Sequence, residues 1–217
     1  MQEEMSNEDY LRWLEERIEK LKKKIEEYYG KIRLYEAVVD RYREYIEENE
    51  AQTIQDLKKR VSPDSEKLKE LLDEISSSIP SYDPERDLEK ACSLLYDSIS
   101  ERIMSVPSID VNFWMDKDEI LEKGFADYED KAILLCSAFR GLGADARVLI
   151  CSMEDGSDRP LVLLALPSKY VLLDPNRKHD FHQYTGARQE ILSRYEHEGK
   201  RISKVVYEFN DIEYKED

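Results

Sequence analysis

The stretch GFADYEDKAILLCSAFRGLGADARV, residues 124–148, holds a helix and the start of a strand. Asp127 is placed to cap the helix, because its carboxylate accepts the free N–H groups of the first turn. The helix runs to about Gly141. Beyond Gly143 the apolar period falls to two, with Ala146, Val148 and Ile150 alternating with Arg147, Leu149 and Cys151. That alternation marks a strand. Downstream, Asp155-Gly156 turns the chain. Leu161–Leu166 and Tyr170–Leu173 are short continuous apolar runs and read as central strands buried on both faces. A helix near residues 189–196 and a last strand over 202–209 complete this region.

Upstream, Asp116 and Glu119 resemble the start of a capped short helix that stops at Gly124. Asp83-Pro84 opens a longer one, with Leu88, Cys92, Leu95 and Ile99 on one face. Helices come first and strands later, which is the α+β order. Before them, Ser62 reads as an N-cap with Pro63 at the first helical position. Leu68, Leu71, Leu72 and Ile75 give that helix one apolar face, and SSSIPSY at residues 76–82 has linker composition.

The first fifty residues carry a different pattern. Leu11, Ile18, Ile25, Ile32, Val39 and Ile46 form one row at seven-residue spacing, and Leu14, Leu21, Tyr28, Tyr35 and Tyr42 form a second. These are the a and d positions of a coiled-coil seam. The heptad fails after Asn49, where Thr53 and Asp56 fall in seam positions. A helix over about residues 8–50 is expected, with a homodimer through its seam or, as the competing arrangement, an intrachain hairpin. In a parallel dimer Arg17 would face Lys22, which repels, and Lys31 would face Glu36, which attracts. The reading divides the chain into a coiled-coil helix (1–61), a second helix and linker (62–82) and a globular domain (83–217).

Charged residues make up 38% of the 217, and the net charge is −16. That mix suits a long solvated helix beside a smaller core. Nucleic acid is not an expected partner, since phosphate binding needs clustered Lys and Arg, and the runs at 22–24 and 58–60 are short and lie among acids. An anionic membrane surface is disfavoured on the same ground. Residues 1–10 lack the basic and apolar regions of a signal peptide, and the run Leu161–Leu166 is too short to span a bilayer. Cys92, Cys136 and Cys151 show no paired spacing and read as buried thiols of a reducing compartment, so a cytoplasmic location is expected.

The 124–148 stretch resembles the signature of the transglutaminase-like superfamily, of the archaeal and microbial type. Glu129-Asp130, Ala132, Leu134-Leu135, Arg140, Gly143 and Ala146-Arg147 fall in register with it, and Leu172-Leu173-Asp174-Pro175 matches its final landmark. The likeness covers residues 85–209 and implies a papain/transglutaminase-like domain of helices packed on an antiparallel sheet. The family's chemistry rests on a thiolate at a helix N-terminus, a His that activates it and an acid that orients the His. Here the nucleophile position is Tyr128, the His position falls at Arg159-Pro160, and only Asp174 remains. A phenol with pKa near 10 is a poor acyl acceptor at neutral pH.

The expected function is therefore a catalytically inactive binding or scaffolding module, a pseudoenzyme, on a dimerising stem. Tyr128, Arg159 and Asp174 are expected to line a degenerate cleft suited to a protein or peptide partner. Tyr128 is expected to bond across it to Asp174 or Arg159. The alternative is a cysteine-type hydrolase or transferase with a displaced Cys–His dyad. Cys136 is the candidate thiol, but it sits where the family places small apolar residues. His179 and His182 follow Asp174, against the family's order, and His197 is read within a charged helix. His179, Asp180 and His182 lie close in sequence but form a polar loop, so no metal and no cofactor are expected.

Overall fold

The computed structural model describes residues 7–50, 53–108, 111 and 113–216. The chain divides into two compact units, Met1–Asn49 and Glu50–Asp217. The described residues of the first unit lie in one helix, α1 (Asn7–Glu50), about 66 Å long at the α-helical rise. Leu11, Ile18, Ile25, Tyr28 and Tyr35 of its seam are exposed. No helix among the described residues is long and apolar enough to cross a membrane.

The second unit begins with α2 (Ile54–Arg60) and α3 (Glu66–Ser77). Thr53 and Asp56 cap α2 reciprocally, so the residues that break the heptad start a new helix. Ser65, not Ser62, caps α3: its Oγ accepts the Leu68 N–H at 3.1 Å, while Ser62 Oγ donates to Asp64 at 2.7 Å. The stretch 62–65 is a turn rather than a helix start. Next come α4 (Pro84–Arg102), capped by Asp83, and β1 (Met104–Ser105). They lead to α5 (Lys117–Lys123), β2 (Phe125–Ala126) and α6 (Tyr128–Gly141). Gly124 ends α5 at φ 73°, a conformation that few side chains tolerate, and Asp127 Oδ1 caps α6 by accepting the Asp130 N–H at 2.8 Å.

The sheet follows: β3 (Asp145–Met153), β4 (Asp158–Leu166), β5 (Lys169–Leu173) and β6 (Thr185–Gly186). After α7 (Arg188–Arg194) come β7 (Glu196–His197), β8 (Lys200–Phe209) and β9 (Tyr214–Glu216). These strands lie in the order β6-β5-β4-β3-β8-β7, with β9 also on β8, every pairing antiparallel. The fold is α+β. The continuous apolar runs of β4 and β5 make sense at once, because both faces are covered. Val162, Leu164 and Val171 join the larger core with α3, α4 and α6, and Leu161, Leu163 and Leu172 pack under Ile191 and Tyr195.

The break in packing does not fall at residues 82/83. Leu68, Leu71, Leu72 and Ile75 of α3 share one apolar cluster with α4, α6 and the sheet. A Cβ on Gly141 would stand 2.5 Å from Leu72 Cδ1, so α6 and α3 approach as closely as a glycine permits. An apolar face made of Leu and Ile needs cover, and α3 finds it on the globular unit. The serine-rich segment is a short connection inside that unit.

Candidate functional site

Three elements converge at one end of the sheet. Arg159 lies near the start of β4, Asp174 directly follows β5, and Tyr128 is the first residue of α6. Adjacent antiparallel strands bring the first two together. Arg159 Nη2 and Nε donate to Asp174 Oδ2 at 2.6 and 2.9 Å, and Asp174 is fully buried. A buried carboxylate persists as an ion only when its lone pairs are satisfied. Here the Asn176 N–H donates to Oδ1 at 2.9 Å, and a phenol completes the set at Oδ2.

That phenol belongs to Tyr195, not Tyr128. Tyr195 Oη donates to Asp174 at 2.7 Å and accepts from Arg159 Nε at 2.8 Å. Burial, and then the Asp174 charge, push this phenol well above its usual range, so it stays protonated and donates. The Tyr128 side chain is half-buried, and its hydroxyl bonds neither Asp174 nor Arg159. What ties it to the site is its backbone carbonyl, which accepts from Asn176 Nδ2 at 3.2 Å. The expected bridge across the site exists, but a different tyrosine makes it. Tyr195→Phe should therefore cost about 1–3 kcal/mol, one lost hydrogen bond with a buried acceptor left short. Tyr128→Phe should fall within about 0.5 kcal/mol of the parent. Paired urea melts of the full chain decide this, and equal losses would refute it.

Tyr195 escapes a sequence reading that extends α7 to residue 196. The helix ends at Arg194, because residues 196–201 form a tight hairpin. Glu198 and Gly199 turn it at φ 50° and 77°, both positive as a two-residue hairpin loop requires. The Glu-Gly dipeptide was the available signal. His197 consequently lies on a strand edge, not in a helix. Burial, then the nearby Arg159 charge, lowers its pKa and keeps the imidazole neutral at pH 7.

His179 and Tyr96 buttress the far side of Asp174. The Asp174 N–H donates to His179 Nε2 at 3.1 Å, which leaves the proton on Nδ1 to reach the Asp180 carbonyl at 2.8 Å. Tyr96 Oη lies 3.3 Å from the Asp174 carbonyl and accepts from the His179 N–H at 3.2 Å. Both ring nitrogens of His179 are thus occupied by backbone. Among the described residues no group of three His, Cys, Asp or Glu is arranged to hold a metal ion.

Beside this cluster lies an open cleft of about 820 Å³ between the 174–177 turn and the β7–β8 hairpin, lined by Asn176, Arg177, Tyr184, Arg194 and His197. Two buried polar atoms along it have no protein partner, Asn176 Oδ1 and His197 Nδ1. The three thiols stand elsewhere, all fully buried. Desolvation pushes Cys92 and Cys151 to about 12 and Cys136 higher still, so none supplies a thiolate near neutral pH.

Residues 112–208, somewhat less than half of the chain, match the family model of the CEP76 peptidase-like domain. No curated protein matches the chain. Among solved structures, a candidate cysteine protease from Cytophaga hutchinsonii aligns at 15% identity with a TM-score of 0.40, covering 51% of this chain and 37% of that protein. LapG from Legionella pneumophila aligns at 13% identity with a TM-score of 0.46, covering 76% of this chain and 88% of its own.

Proposed function

We propose that the globular unit is a catalytically silent relative of transglutaminase-like and cysteine-protease-like domains, used to bind a protein or peptide and carried on a self-associating helical stem. One observation carries the reading. Arg159 and Asp174, which stand where the resemblance puts the base and the acid, bond each other and Tyr195 and so satisfy one another. A guanidinium cannot act as a base near neutral pH, and a phenol held above its normal range is not a nucleophile. The family match over residues 112–208 supports the lineage, and the residues at the reacting positions support the silence.

The neighbouring cleft supports binding. Asn176 and His197 put polar groups along its wall, and an extended peptide offers N–H and C=O groups at strand spacing. Arg177 at its rim adds a cation for an acidic side chain.

The test has two arms on the full chain. Generic peptide and glutamine substrates, and a thiol-reactive acyl probe, should show neither turnover nor labelling. Activity abolished by Cys136→Ser would overturn the reading in favour of a displaced-dyad hydrolase. A peptide array should capture the protein, and Asn176→Ala should weaken that capture several-fold.

A further inference from the structure

We propose that α1 pairs with a second copy of itself in antiparallel orientation, in the register that sets Ile32 opposite the partner's Tyr28. This rests on the reading that the stem self-associates, and goes beyond it by fixing direction and register.

Layer composition gives the first argument. In a parallel pair like positions meet, a on a and d on d. Tyr28, Tyr35 and Tyr42 would each face their own copy, giving three layers of opposed phenols. In an antiparallel pair each a residue meets a d residue. Ile18 then faces the partner's Tyr42, Ile25 faces the partner's Tyr35, and Ile32 faces the partner's Tyr28. Val39 and Ile46 take the partner's Leu21 and Leu14. Every tyrosine meets an isoleucine, and large against smaller is how facing layers fill space.

Flanking charge gives the second argument, and it is independent of the first. The positions beside the seam are Glu15, Lys22, Tyr29, Glu36 and Arg43 on one edge, and Arg17, Lys24 and Lys31 on the other. The antiparallel register sets Glu15 against the partner's Arg43 and Lys22 against the partner's Glu36, and symmetry repeats both contacts. Its repulsions are Lys31 against the partner's Lys31 at the axis and Glu8 against the partner's Glu50 at the two ends of the helix, fewer than its attractions. The parallel pair instead repels twice, Arg17 against the partner's Lys22, for the two attractions of Lys31 with the partner's Glu36. Sliding the antiparallel pair by one heptad sets Glu15 on the partner's Glu36 in one direction and Lys22 on the partner's Arg43 in the other. Charge therefore selects both the direction and the register.

Lys22 rests on Glu19 at 2.8 Å, and Arg43 on Asp40 at 3.0 Å and on Glu47 at 3.8 Å, pairs within one helix. Such pairs contribute little and give way to a fixed partner. Ile18, Leu21 and Ile25 of the apolar stripe are each about half exposed, while Leu14, Val39 and Ile46 are partly covered.

A nitroxide placed at Glu16→Cys in the full chain tests this. Position 16 lies on the outer face of the heptad, and the native cysteines are fully buried. Pulsed dipolar spectroscopy should read about 47 Å, and about 29 Å for a label at Lys23→Cys, from axial offsets of about 42 and 21 Å at the helical rise combined with roughly 20 Å across the pair. A slip of one heptad moves the axial offset by about 10 Å, and so the two measured distances by roughly 6–10 Å. Roughly 20 Å from both labels would mean a parallel pair, which overturns this inference and leaves self-association standing. No dipolar signal at tens of micromolar would overturn both. Lys22→Glu supplies a check of opposite sign. It removes an attraction in the antiparallel pair and relieves a repulsion in the parallel one. Sedimentation equilibrium should show association weakened several-fold, and a strengthened dimer would refute the orientation.

Discussion

Arg159→Ala should destabilise the globular unit by about 3–5 kcal/mol, the range for a buried ion pair that loses one partner. The reason is what stays behind. Asp174 has its side chain 1% exposed, and Arg159 supplies two of the donors to Oδ2. Without the guanidinium, Tyr195 and the Asn176 N–H remain, and neither carries a charge to offset the carboxylate. The carboxyl must then take up a proton or draw in water, and either route disturbs the turn that also positions Asn176 and His179. Arg159→Met with Asp174→Leu should recover much of the loss, because an apolar pair of similar volume has no ions to desolvate. Urea unfolding followed by Trp114 fluorescence in a Trp13→Phe background reads the globular unit alone. The midpoint should fall sharply at unchanged slope. A loss below about 1 kcal/mol would place the pair in the class of solvent-exchanging bridges.

Local signals read well in this chain, and long-range ones do not. The heptads place α1 within a residue of its ends, because five repeats leave little freedom in phase. Asp127 and Asp155-Gly156 likewise fix the start of α6 and the β3–β4 turn, since a cap and a tight turn are chemistry among near neighbours. Arg159 and Asp174 come together because β4 and β5 are adjacent strands, which the resemblance already implied. Tyr195 is another matter. It stands 21 residues from Asp174, and only the fold of α7 over the sheet makes it a site residue. The packing of α3 shows a related limit. Serine-rich composition at 76–82 resembles a linker, but the apolar face of α3 decides where the segment packs. Lys131 shows the same limit. A lysine in an amphipathic pattern reads as solvated, yet Lys131 is buried and its Nζ donates to the Ile103 carbonyl at 2.6 Å, satisfying the end of α4, which no local pattern reveals.

The second large effect concerns Asp130, one residue of the acidic pair at the start of α6. Its carboxyl is buried and accepts a backbone hydrogen bond from the Met115 N–H at 2.9 Å. Burial, reinforced by the Asp127 and Glu129 charges, raises its pKa to about 7. An unfolded chain holds an aspartate near 3.9. Between those values the folded state keeps a proton that the unfolded state has lost. The stability this group contributes is fully present below about pH 4, declines as pH rises, and is gone above about pH 7. The slope approaches 1.4 kcal/mol per pH unit, so the whole window amounts to about 4 kcal/mol at most. Carboxylates such as Asp87, held near 2 by its hydrogen bonds to Arg86, slope the opposite way in more acidic solution, so the net curve of the wild type is a sum. A difference against one variant isolates the term. Asp130→Asn keeps an acceptor for Met115 and cannot ionise. Relative to the parent it should gain stability steadily from pH 4 to pH 7 and then level off. Chemical melts of both proteins at five pH values give that curve. A flat difference would mean that water or a conformational shift already solvates the carboxylate, and that the acidic pair is held for a reason other than the helix start it occupies.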